Sequence, residues 1–368
     1  MNYLKRLLPV FVALVSLLSS TLDAKKKRPA PVVSPILQED GKVTFQVKAP
    51  SAEEVFVSGE MAKGKFAMEK GEGGVWSVTL EDVKAGLYGY SLIIDGVRQL
   101  DPGNPNLKPM RSPKTSILHI PGGHLYDFRK EIPHGTVHQH SYYSEPINRL
   151  REMRVYTPPG YETSHAKYPL LVLQDGHSDS FATWTTYGKA HWILDNLIAD
   201  GKAKPMIVVM LDGHPIPTSY GNGRSIDNTE ELRQDLMDVV LPMLEKKYRV
   251  KPGRENRAIT GLSMGGLHSL SIGLTEMEYF GSVGAFSAAV PKLDECASVL
   301  KQAAKPEDQF DLLWIACGKE DFLLNENLLF VESLKENNVP HTWLLTEGNH
   351  SWPIWRGYLA DFVPLLFQ

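Results

Sequence analysis

The chain has 368 residues, 42% of them hydrophobic and 22% charged, so it carries enough apolar material for a core and is not globally disordered. Lys and Arg number 39 against 43 Asp and Glu, and the net charge of −4 lacks the basic excess of a nucleic-acid binder. Two cysteines, Cys296 and Cys317, are too few for a disulfide scaffold or a four-cysteine zinc site.

Residues 1–24 read as a secretory signal. Lys5 and Arg6 form a charged start, Leu7 to Leu18 an apolar run, and Leu22-Asp23-Ala24 a cleavage site before Lys25-Lys26-Lys27-Arg28. The run falls short of the roughly 20 apolar residues that a membrane-spanning helix needs. No cysteine follows it to take a lipid. A secreted or periplasmic protein without a stable membrane anchor is expected. Cys317 closes a predicted buried strand, where free thiols are common, so two free cysteines are expected rather than a disulfide.

Residues 32–122 read as a β-sandwich. Val43 to Val47 alternates at period two; Val55-Phe56-Val57, Trp76 to Leu80 and Leu87 to Ile94 follow, separated by glycine-bearing turns. Asp95-Gly96 predicts a type I′ hairpin, which needs positive φ at both central residues. Residues 101–123 carry Pro102, Pro105, Pro109, Pro113 and Pro121 and read as a wrapped connector.

From 123 to 368 strands and helices alternate. Strands are expected at Arg154–Thr157, Tyr168–Leu173, Met206–Leu211, Ala258–Thr260, Gly284–Ser287, Leu312–Cys317 and Trp343–Leu345. Helices are expected at His191–Ala199, Glu230–Tyr248, Gly265–Leu274, Glu326–Asn337 and Pro353–Val363. Near-continuous apolar strands between helices predict a mostly parallel sheet covered on both faces, an α/β fold.

The chemistry centres on Gly261-Leu262-Ser263-Met264-Gly265-Gly266. It fits G-x-S-x-G, a sharp strand-to-helix turn that lifts a serine hydroxyl above a sheet. The bare motif occurs by chance, but here an apolar strand precedes it and a helix follows. A serine is a poor nucleophile at neutral pH and needs a base in hydrogen-bond reach and a third group to orient that base. An acid and then a histidine should follow, each after a strand. Gly318-Lys319-Glu320-Asp321 supplies the acid, with Asp321 preferred and Glu320 its competitor. Glu347-Gly348-Asn349-His350 supplies the base. His268, on the nucleophile helix, reads as structural; His138 and His140 alternate on a strand, where a metal site is the lesser reading.

An oxyanion hole needs two backbone donors. The Met264 N–H is one candidate. The loop Gln174-Asp175-Gly176-His177 offers the second, with His177 preferred and Gly176 the fallback. Trp184 and Trp352 sit where aromatics could line a pocket or simply pack; Trp355 reads as packing. Such chemistry needs no metal and no organic cofactor.

Residues 135–366 resemble the Putative esterase family of α/β-hydrolases, which holds feruloyl and acetyl-xylan esterases, esterase D, siderophore esterases and mycolyltransferases. The matching pieces are the stretch Arg151–Tyr161, the runs 168–176 and 193–210, G-L-S-M-G-G, C-G-K-E-D-F-L and G-N-H-S-W. The resemblance implies a triad of Ser263, Asp321 and His350, and an ester-bearing plant polysaccharide as partner: feruloyl esters first, acetyl-xylan second. A siderophore esterase and an acyltransferase are rivals. A non-catalytic glycan-binding protein predicts a broken triad position, and all three are present. The chain departs from the family's common L-H-G at Leu173-Gln174-Asp175-Gly176, and at Gly213-His214-Pro215-Ile216-Pro217, which is expected to shape the acyl pocket differently. Residues 35–120 resemble the early-set immunoglobulin-like domain, close to the family 48 carbohydrate-binding module. There Trp76, Tyr88 and Tyr90 face either a glycan or the core.

Overall fold

The structure, a computed structural model, describes residues 31–38, 41–215 and 226–368. The expected signal segment, and Ile216 and Pro217 of the second departing loop, lie outside the described residues.

The N-terminal unit is a sandwich of antiparallel strands. One sheet orders β1 (Ile36–Leu37), β2 (Val43–Lys48), β6 (Val75–Leu80) and β5 (Glu69–Lys70). The other orders β4 (Ala62–Ala67), β3 (Val55–Gly59), β7 (Gly86–Ile94) and β8 (Val97–Gln99), with β9 (Ser116–Ile120) also on β7. The period-two reading holds: Val43, Phe45 and Val47 point inward with Val55, Val57 and Leu92. Full burial of a side chain such as Phe45 is worth about 2–3 kcal/mol. Asp95 and Gly96 adopt φ of 47° and 80°, as a type I′ turn demands. Trp76 and Tyr90 are core residues: Trp76 Nε1 donates to Ala49 O, and Tyr90 Oη donates to Asp101. Tyr88 is half-buried, its hydroxyl turned back onto Lys84 O. These contacts favour the core over the glycan reading for all three.

Between β8 and β9 the chain makes an excursion, residues 100–115, containing most of the expected connector. Its base is pinned by a buried network. Asn104 Nδ2 donates to Tyr90 Oη and to Ile117 O, and the Asp101 N–H donates to Ser116 Oγ.

The C-terminal unit is built on one eight-stranded sheet in the order β10 (Thr136–Ser144), β11 (Arg149–Thr157), β13 (Ile207–Leu211), β12 (Leu170–Gln174), β14 (Arg257–Leu262), β15 (Ser282–Phe286), β16 (Leu312–Gly318) and β17 (Thr342–Thr346). β10, β11 and β13 pair antiparallel; β13 through β17 are parallel. The helices are α1 (Thr183–Thr186), α2 (Ala190–Ala199), α3 (Ile226–Gln234), α4 (Leu241–Lys247), α5 (Met264–Thr275), α6 (Leu293–Ala303), α7 (Leu324–Glu336) and α8 (Trp352–Phe362). A π-helical turn, Asp235–Val240, joins α3 to α4. There Asp235 takes an ion pair from Arg151 at 3.0 Å and a hydrogen bond from Tyr142 at 2.7 Å.

Alternate residues of each central strand enter opposite cores. Leu170 and Val172 pack with Leu236, Leu270 and Phe330, while Leu171 and Leu173 pack with Ile193, Tyr358 and Phe362. Both faces are covered, as continuous apolar strands require. The second core also takes Leu87 and Ile117 from the sandwich, and the buried Arg356 of α8 donates to Leu87 O at 3.1 Å. The two units therefore share a core. Cys296 and Cys317 are both free and buried. No helix among the described residues is long and apolar enough to cross a membrane.

The start of α5 is a tight crossing. A Cβ on Gly265 would lie 2.4 Å from Asp175 O, whereas one on Gly357, in α8, would meet nothing within 4 Å. Gly265→Ala should therefore cost about 1–3 kcal/mol and lower Tm, while Gly357→Ala should hold or raise it. Thermal melts of the two variants check the contrast.

Candidate active site

The carboxyl ends of the parallel strands converge on one edge, where an open α/β sheet places its ligands. β14 ends at Leu262, and Ser263 turns the chain into α5 with φ 54° and ψ −116°, a sparsely populated conformation for a non-glycine residue. The Ser263 N–H donates to Phe286 O, and its carbonyl accepts from Ala289 N–H and Leu267 N–H, so the turn is held on both sides.

His350 follows β17 and presents Nε2 to Ser263 Oγ at 3.1 Å. Its Nδ1 faces both Asp321 oxygens, at 3.0 and 2.9 Å. That bifurcated contact puts the ring proton on Nδ1 and leaves Nε2 as a base aimed at the serine hydroxyl. Asp321 follows β16, and its side chain is wholly buried. Burial pushes its carboxyl up, but hydrogen bonds from His350 and the Leu323 N–H outweigh this and hold it below the ordinary carboxylate value. Glu320 is exposed, as the competing reading of a solvated loop charge has it.

Loop 174–179 runs beside the serine. A Cβ on Gly176 would fall 3.7 Å from Ser263 Cβ and only 2.6 Å from Leu262, so the loop approaches as closely as glycine permits. Met264, the first residue of α5, has no acceptor for its N–H within the helix. His177 is half-buried, its ring 5.6 Å from that of His214; burial and the neighbouring His214 and Arg111 lower its pKa.

Of the aromatic candidates, Trp184 and Trp352 are 1% and 2% exposed and pack edge to face at 4.9 Å. The Trp184 indole donates to Gln174 O, bracing the loop from beneath. Neither offers a face to a substrate in this arrangement, which corrects the pocket-wall alternative; packing accounts for both. The sequence reading did not select Phe322. It is 73% exposed, with its ring tilted 4.4 Å from that of His350, and Trp355 stands edge-on to His350 at 4.8 Å. Phe322 directly follows Asp321, the only signal the sequence carried. His268 is structural, its ring between Thr229 Oγ1 and Gly213 O, and burial pushes it down to about 3. His140 and His138 are engaged by Tyr248 and Thr157.

A base-paired serine at the edge of a mostly parallel, helix-covered sheet is the α/β-hydrolase arrangement, here preceded by an immunoglobulin-like sandwich. The chain belongs to the Putative esterase family, whose profile matches residues 144–366. Residues 33–104 match carbohydrate-binding module 48, the isoamylase N-terminal domain. An endo-1,4-beta-xylanase/feruloyl esterase of Xylanibacter ruminicola is 33% identical over 91% of this chain, which spans only 46% of that protein. A ferulic acid esterase of Anaeromyces mucronatus, solved with ferulic acid, superposes with a TM-score of 0.58 at 25% identity, over 67% of this chain and 96% of that one. The enterobactin esterase of Shigella flexneri shares the fold, with a TM-score of 0.62 at 18% identity over 88% of this chain and 92% of that one.

Asp175 yields a pH test. Burial, then the neighbouring Asp212 and Asp179, push its carboxyl well above the ordinary range against the Gly213 N–H that it accepts. The folded state thus favours the protonated form. Its stability cost is absent below the unfolded value of about 3.9 and grows as pH rises towards the folded one. Asp175→Asn keeps the Gly213 acceptor and removes that cost. Its Tm should gain on the parent's as pH rises from 4 to 8; a gap independent of pH would contradict the argument.

Proposed function

We propose that the chain is a secreted or periplasmic serine esterase that hydrolyses carboxylic esters on plant cell-wall polysaccharide, with feruloyl-polysaccharide as first substrate and acetyl-xylan second. The observation that carries the mechanism is the line Asp321–His350–Ser263, with both imidazole nitrogens engaged at 3.1 Å or less. Ser263 Oγ attacks the ester carbonyl while His350 Nε2 takes its proton. Asp321 holds the tautomer and stabilises the imidazolium. The Met264 N–H and the His177 N–H, or that of Gly176, receive the oxyanion. The alcohol then leaves, protonated by His350, and water releases the acid from Ser263 by the same steps in reverse.

The resemblance to feruloyl esterases supports the aromatic acyl group. So does Phe322, an exposed ring against His350 on which a hydroxycinnamoyl ring could stack. The match of the sandwich to a carbohydrate-binding module supports a glycan-borne ester.

Purified protein should release ferulate from methyl ferulate, and Ser263→Ala should lower kcat/KM by about 10³-fold or more. Phe322→Ala should raise KM for methyl ferulate several-fold and leave that for 4-nitrophenyl acetate within about twofold. Release of acetate alone, from acetylated xylan, would move the substrate to the second reading. A folded parent that cleaves no ester would overturn the proposal.

A further inference from the structure

The excursion between β8 and β9 does not end at the sandwich. Residues 108–111 lie along loop 178–183 of the hydrolase unit, with three polar contacts between them. The Lys108 ammonium meets Asp179 Oδ1 at 2.9 Å, with the two side chains 10% and 3% exposed. The Arg111 N–H donates to Ser178 O at 3.2 Å, and Thr183 Oγ1 donates to Pro109 O at 2.6 Å. Lys108 is itself held: its N–H donates to Thr115 O, and its ammonium lies 5.4 Å and 5.3 Å from the ring centres of Tyr187 and Trp352. The network of Tyr90, Asp101 and Asn104 anchors the root of the excursion, and its prolines limit its freedom.

Asp179 reaches the nucleophile through Gly176. Its N–H donates to Gly176 O at 3.1 Å, closing the turn Gly176–Asp179, and its Oδ2 would lie 3.3 Å from a Cβ on Gly176. Gly176 in turn lies against Ser263. The path from Lys108 to the nucleophile therefore runs through the ion pair with Asp179, the Asp179–Gly176 hydrogen bond and the close approach of Gly176 to Ser263, where a Cβ on the glycine would lie 3.7 Å from Ser263 Cβ. A buried carboxylate in contact with a crowded loop can keep one position only while its charge is matched.

We propose that Lys108 is a positioning residue for ester hydrolysis. Through Asp179 it fixes the backbone of Gly176 and His177, where the second oxyanion donor is drawn, so a residue of the sandwich excursion belongs to the framework of the active site. The inference rests on the Ser263 mechanism above. Lys108 touches no reacting atom, and its effect falls on the transition state, because an oxyanion donor displaced by a fraction of an ångström loses the charge that develops there and little of the ground-state binding.

The experiment is steady-state hydrolysis of 4-nitrophenyl acetate by the full chain, with Tm measured for each variant. Lys108→Met should lower kcat about 10- to 100-fold with KM within about twofold, and Lys108→Arg should recover most of the loss. Lys108→Met leaves a buried carboxylate unmatched and can unfold the loop, so the doubly neutral pair Lys108→Met with Asp179→Asn is measured beside it. That pair should fold and show a kcat loss no larger than Lys108→Met alone, as coupled residues do. The inference is overturned if the folded single variant, or the double variant where the single does not fold, keeps kcat within twofold of the parent. It is equally overturned if the loss appears in KM alone, or if arginine restores nothing. The parent and Ser263→Ala are run in the same assay. Hydrolysis that survives Ser263→Ala removes the serine mechanism and this inference with it, whereas serine-dependent hydrolysis with an unchanged Lys108→Met kcat removes only the inference.

Discussion

The turn at Ser263 is the constraint on which the rest of the C-terminal unit depends. Its backbone conformation is one that a residue with a side chain rarely adopts, and the surrounding structure must hold it there. The glycines around it are set by contact rather than by flexibility. The backbone of α5 begins so close to the end of β12 that Gly265 has no room for a Cβ, and Gly266 would meet Ala288 at 2.6 Å. This crowding brings strand end, helix start and the 174–179 loop within reach of one hydroxyl. The turn at Ser263 is therefore held by hydrogen bonds to Phe286, Ala289 and Leu267, with the 174–179 loop packed close beside it.

A second consequence concerns the two units. Tandem domains joined by a flexible linker move independently, but these two share a core. Leu87 and Ile117 of the sandwich pack in the cluster that holds Trp184, Tyr187 and Trp352. Arg356, 2% exposed, has its guanidinium directed at carbonyls of Leu87 and Tyr187. A buried cation with such partners is costly to separate from them. The tryptophans that the sequence offered as pocket walls instead form the seam between loop 174–179, the last helix and the sandwich. Their position beside site residues in the chain was real; the direction of their side chains was decided by this seam.

Most of the fold was legible because its signals are local. Alternating residues marked β2, Asp95-Gly96 marked the hairpin, and the apolar runs of β12 and β13 called for cover on both faces. Ser263, Asp321 and His350, which the structure brings together, could be picked out because the α/β-hydrolase arrangement sets an order of serine, acid and histidine along the chain. What stayed hidden depended on contacts distant in sequence. The helix Leu293–Ala303 was not among the expected elements, although Cys296, Leu300 and Ala303 lie on its buried face at helical spacing. The helix expected over 230–248 starts earlier, at Ile226, and passes through a π turn where Asp235 bonds to Tyr142 and Arg151, residues far back in the chain. Phe322 was passed over because no local pattern distinguishes an exposed phenylalanine from a buried one.

The arrangement also separates two residue types that could each attack an ester. Cys317, two strands over from Ser263 near the end of β16, carries the intrinsically better nucleophile. Burial, and then the charge of Asp321, push its thiol up to about 12, so the thiolate that would react is withheld. Ser263 has the poorer nucleophile and the better position, half-exposed at the sheet edge with an imidazole nitrogen at 3.1 Å. The same carboxylate that orients His350 towards the serine raises the cost of ionising the cysteine. Burial, with Asp321 beside it, thus disfavours the cysteine thiolate, while hydrogen bonds from the imidazole and the Leu323 N–H hold Asp321 below the ordinary carboxylate value.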